Sequence, residues 1–160
     1  MKFFAVVTAV VAVLLACVIL VQRSSSALEV RCEAEVLHTV DGPENSVTLD
    51  ATATLFMLAN GKGFVNLYGT LTDREVLWLV NRKIWFDWHY ERNDNLYDIT
   101  IRQVDIKKDT DKAPQEMMAK IYSQRFNMEI YGAGQNALYF RGVSTPFFFC
   151  VKQNKNGKAA

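Results

Sequence analysis

Histidine is scarce in this chain: His38 and His89 are the only two. No HExxH, CxxC, GxSxG or P-loop spacing occurs, and no carboxylates fall at metal-ligand spacing. With no catalytic constellation, a non-enzymatic role without metal or cofactor is expected. Asp87 and His89 stand at i and i+2, beside Lys83 and Glu91. They read as a solvated strand edge rather than an acid–base pair. Gly132-Ala133-Gly134 opens no helix, so it reads as a hairpin turn rather than a nucleotide loop.

A basic field is missing as well. Without Lys2 and Arg23, which flank the first apolar run, the 18 basic residues fall one short of the 17 acidic ones. Such a surface has nothing to hold phosphates, which excludes nucleic-acid binding. Ten-residue helical crossovers between strand-like runs are absent too, which excludes a parallel sheet.

What the chain does have begins at once. Phe3 to Val21 reads FFAVVTAVVAVLLACVILV, nineteen residues without a charge. As a helix it reaches about 28 Å, close to the ~30 Å hydrocarbon thickness of a bilayer. Residues 1–23 are therefore expected to be an uncleaved membrane anchor, with 24–27 as a short linker. Two alternatives remain. Ser25-Ser26-Ala27 offers small residues to a signal peptidase, although signal-peptide cores run shorter, about 7–15 residues. Leu14-Leu15-Ala16-Cys17 is like a lipobox, but Val18 to Val21 keeps the following stretch apolar. On the anchor reading Cys17 is a small apolar residue inside the helix.

The remaining cysteines, Cys32 and Cys150, lie in the first and last strand-like runs. In an exported domain this placement reads as one disulfide, the alternative being two buried thiols. A bridge requires an oxidising compartment, so the anchor would run N-terminus in and domain out.

Residues 28–151 are patterned as strands. Leu28, Val30, Cys32, Ala34 and Val36 alternate with Glu29, Arg31, Glu33 and Glu35. Asp41-Gly42-Pro43 and Asn60-Gly61-Lys62-Gly63 are turn signals. Glu75 to Tyr90 is the longest run, with a bend or break expected near Asn81-Arg82. Gln115 to Tyr122 is the one helix expected outside the membrane, capped by Thr110 or Asp111, with Pro114 in its first turn. Together these give about eight antiparallel strands joined by short turns, expected to curl into an up-and-down, calycin-like barrel or half-barrel. A β-sandwich is the alternative. Residues 152–160 read as a solvated tail.

Trp78, Arg82, Phe86 and Trp88 share one face of the longest run. Aromatics on that face read first as barrel core. Arg82 on an apolar face needs a partner or an opening to water. These four residues are the candidate ligand site, for an apolar or amphipathic molecule.

Several features together resemble the FidL-like membrane proteins of enterobacteria. They are the single N-terminal membrane segment, Cys32 followed by Ala34, Gly61-Lys62-Gly63-Phe64 with Tyr68-Gly69-Thr70-Leu71, and the closing Pro146-Phe147-Phe148-Phe149-Cys150. The resemblance implies a bacterial inner-membrane protein with a periplasmic domain that accompanies a ToxR-like transmembrane regulator. It implies, as the alternative, a sensor of small amphipathic ligands such as bile salts. It brings no site residues beyond the cysteines.

Overall fold

The computed structural model describes residues 29–42, 46–91, 96–142 and 146–153. The expected anchor and linker lie outside these residues. Among the described residues no helix is long and apolar enough to cross a membrane.

Eight strands follow in order: β1 (Val30–Asp41), β2 (Ser46–Met57), β3 (Lys62–Asp73), β4 (Val76–Glu91), β5 (Leu96–Ile106), β6 (Arg125–Ala133), β7 (Ala137–Gly142) and β8 (Pro146–Lys152). One helix, α1 (Gln115–Ile121), lies between β5 and β6. Each strand pairs antiparallel with its neighbour in the chain, and β1 pairs with β8, so the sheet closes into a barrel. Alternation explains the facing. Val30, Cys32 and Ala34 of β1, and Val47, Leu49, Ala51, Ala53, Leu55 and Met57 of β2, are buried inside. The acidic and threonine positions between them face out.

The closing seam is short. Among the described residues, β1 and β8 pair at Cys32↔Lys152 and Glu33↔Val151 alone. The disulfide Cys32–Cys150 reinforces it, with Cα atoms 5.4 Å apart and a sequence separation of 118. Gln153 adds two bonds, its N–H donating to the Arg31 carbonyl at 3.0 Å and its Nε2 to Glu33 Oε2 at 2.6 Å. Lys152 and Gln153 therefore belong to the sheet, not to the solvated tail expected from 152 onward.

Two further expectations are corrected. β4 runs unbroken for 16 residues through Asn81 and Arg82. Its irregularity lies at Trp85/Phe86, which pair with Gln103 and Ile101, leaving Arg102 as the extra residue of a bulge. The cap of α1 is also different: Pro114 holds the N-cap position and no side chain caps the helix. Asp111 is engaged elsewhere.

Outside the barrel, Phe56, Phe64 and Trp85 form a cross-strand row, with ring centroids 4.5 and 5.1 Å apart. Lys83 Nζ lies 4.0 Å from the Phe64 and Trp85 rings, so its ammonium covers their faces. Inside, Gly63 pairs with Phe86, and a Cβ there would fall 2.4 Å from the Phe86 ring. The missing side chain is what lets that ring lie across the strand.

A cavity between two core clusters

The barrel interior is packed at both ends. At the disulfide end Cys32, Met57, Trp88, Phe140 and Cys150 form one buried cluster. At the other end Leu71, Val80 and Leu67 meet Ala113 and Met118, the latter from α1. Val36 and Val65 touch both clusters. Between them lies a cavity of about 280 Å³, lined chiefly by apolar side chains that include Val36, Leu49, Ala53, Val65, Ile84 and Phe86. Ala53, like Ala51 two positions before it on the inward face of β2, contributes only a methyl group, which helps leave the space open.

Strand lengths make the mouth. Among the described residues, β6 meets β5 only from Tyr97 to Thr100, and β8 meets β1 only at Cys32 and Glu33. The far halves of β1 and β5 therefore rise above β6, β7 and β8. α1 and its preceding loop fill part of this notch. His38, Ser123, Phe126 and Phe147 line the cavity at its unfilled part. Phe147 stands at a bulge in β8, where Phe148 pairs with Phe140 and Pro146 with Arg141. The bulge turns the Phe147 ring edge-on to Phe126, with centroids 5.8 Å apart.

Arg82 holds the plug in place. It is 2% exposed and Asp111 is 6% exposed. Arg82 Nε donates to Asp111 Oδ2 at 2.8 Å and Nη2 donates to Asp111 Oδ1 at 3.0 Å, a bidentate pair. Nη1 donates to Gln115 Oε1 at 2.7 Å and Nη2 to the Ala113 carbonyl at 2.7 Å. Asp111 also accepts the backbone N–H groups of Asn81 at 2.8 Å and Ala113 at 3.2 Å. One inward arginine thus gathers the loop before α1 and the first residue of α1 onto β4. Burial opposes the charge on Arg82, yet the Asp111 partner keeps its pKa above the ordinary value. Burial likewise pushes the Asp111 carboxyl up, and Arg82 with the two backbone N–H groups brings it below the usual carboxylate range. The Tyr122 hydroxyl lies beside Arg82, buried and without a well-formed hydrogen bond.

The four candidate residues from β4 are thus separated. Phe86 lines the cavity. Arg82 faces inward as expected, and its charge is spent on Asp111. Trp88 belongs to the cluster at the disulfide end, and its Nε1 donates to the Lys62 carbonyl at 3.1 Å. Trp78 packs half-buried against the opposite cluster. The lining residues missed in the sequence are Ile84 of β4 itself, positions on six other strands, and Ile121, Tyr122 and Ser123 in and just after α1. His38 was within reach, because it is the next inward position after Val36. Asp87 pairs with Arg102 at 2.7 Å, and exposed His89 lies 3.8 Å from Glu91, so those two do not form a site. Among the described residues no group of three His, Cys, Asp or Glu is placed to hold a metal ion. The chain matches no protein-family model and no curated protein.

Proposed function

We propose that this chain is a non-catalytic binding protein whose barrel interior takes one small apolar or amphipathic molecule. The cavity carries this reading: it is lined chiefly by aliphatic and aromatic side chains and opens to solvent where exposed His38, Ser123 and Phe147 line it. Its 280 Å³ sets the size of the occupant. At ~30 Å³ per water-sized group, roughly nine heavy atoms fit. A medium-length alkyl tail of about nine carbons, its head outside, or a single ring meets that limit. The fused rings of a bile salt exceed it.

In this reading residues 3–21 hold the chain in a bacterial inner membrane, with the N-terminus cytoplasmic and the barrel in the periplasm. The apolar run and the Cys32–Cys150 bridge support that setting. The test is a cavity-filling variant. Ala53→Leu adds three carbons to the lumen and is expected to weaken binding of a medium-chain amphiphile by about tenfold or more. Thermal stability should stay equal or rise, as measured beside the titration. Undiminished binding would place the ligand elsewhere.

A second reading is the one implied by the FidL-like resemblance, an accessory that pairs with a ToxR-like regulator. One observation favours it: among the described residues, β5 from Arg102 to Ile106 has no strand on the side away from β4. Such an edge can accept an extended segment from another chain. Co-purification with a co-expressed regulator tests it, and a protein that stays alone would remove it.

A further inference from the structure

Among the described residues the lining of the lumen has few polar side chains. His38, Tyr122 and Ser123 are its polar side chains. The Tyr122 hydroxyl is shut away from solvent beside Arg82. That leaves His38 and Ser123. Both are exposed, and neither has a hydrogen-bond partner among the described residues. His38 takes the inward position after Val36 on β1, opposite Leu49. Ser123 lies in the link from α1 to β6. Among the described residues no Asp, Glu, Lys or Arg lines the cavity. The nearest buried charge, Arg82, is already matched by Asp111.

These placements decide which way an amphiphile enters. A polar head pushed inward would lose its water and meet only hydrocarbon, a large cost. With the tail inward, apolar surface is buried and the head stays at the mouth. There an oxygen acceptor finds an imidazole N–H and a hydroxyl, both able to donate. An ammonium head finds no carboxylate in the lining. An anionic head makes charge-assisted hydrogen bonds to these two donors.

We infer that the ligand is a single-tailed carboxylate of medium chain length, held tail-inward, with its head at His38 and Ser123. This rests on the lumen being the binding site and adds the identity and direction of the occupant. Decanoate and decylamine form the decisive pair, since they share a chain and differ in the sign of the head. The full chain is reconstituted in zwitterionic phosphatidylcholine nanodiscs, with empty nanodiscs as the blank. Saturable changes in tryptophan fluorescence are then followed at neutral pH.

Decanoate is expected to bind about tenfold more tightly than decylamine. The double variant His38→Ala, Ser123→Ala should weaken decanoate by about five- to tenfold and leave decylamine unchanged. Equal affinity for the two amphiphiles overturns the inference while the lumen reading stands. So does a double variant that binds decanoate as well as the wild type. Binding of neither amphiphile overturns the lumen reading and this inference together.

Discussion

Replacing Asp111 with alanine should cost about 3–5 kcal/mol of stability, because it leaves a buried guanidinium without its counter-charge. Arg82 is almost fully enclosed, and only the Gln115 side chain and the Ala113 carbonyl would remain to solvate it. The backbone N–H groups of Asn81 and Ala113 would lose their acceptor in the same step. The loop before α1 and the start of the helix should then leave β4. Equilibrium denaturant unfolding measures the loss.

The double variant Arg82→Met, Asp111→Leu separates two explanations. It removes both charges and keeps apolar volume, and is expected to lie near the wild type or above it by about 1–4 kcal/mol. If the double variant were as unstable as Asp111→Ala, lost packing rather than an orphaned charge would be the cause. The pH dependence follows from the direction of the Asp111 shift. Its folded-state pKa is below the unfolded one, so the pair's contribution is complete above the ordinary carboxylate range. That contribution is lost as pH falls through the folded value. The gap between wild type and Asp111→Ala should therefore narrow in acid.

Removing the disulfide, by Cys32→Ala with Cys150→Ala, is the second large effect. The chain-entropy argument for a loop of more than a hundred residues gives about 4–5 kcal/mol, and losses in small secreted domains run about 2–5 kcal/mol. The position of the bridge adds a local consequence. With only two residue pairs across the β1–β8 seam among the described residues, the bridge is a covalent tie where backbone pairing is sparse. Backbone amide exchange should quicken first in β8 and the opening residues of β1. A melting temperature lower by about 10 °C or more should accompany it. Uniformly faster exchange around the whole barrel, with β8 no different from β3, would show that the seam stands without the bridge.

The strands were legible because period-two alternation survives wherever one face is wet. β1, β2 and the even positions of β4 follow it, and antiparallel closure followed from short turns and paired cysteines. The cavity was not legible, for two reasons. A shared face is not a shared place: Trp78 and Trp88 are ten positions apart on β4, about 33 Å of extended chain, so one strand reaches both end clusters. The mouth, for its part, arises from unequal strand lengths and from the bulges at Trp85/Phe86 and Phe140/Arg141. Those are properties of pairing between strands. The partner of Arg82 was hidden in the same way. Asp111 looked like a helix cap, and its true role depends on a strand 29 residues earlier.

Val30 and Gln153, where the described chain enters and leaves the sheet, lie at the disulfide end. His38 is eight positions further along β1, about 20 Å away once strand tilt is allowed for. For a chain tethered through its first residues, the rim would open toward bulk water rather than toward the headgroups. Cargo would then be collected as dissolved monomers, which favours short, sparingly soluble tails over lipids that never leave a bilayer.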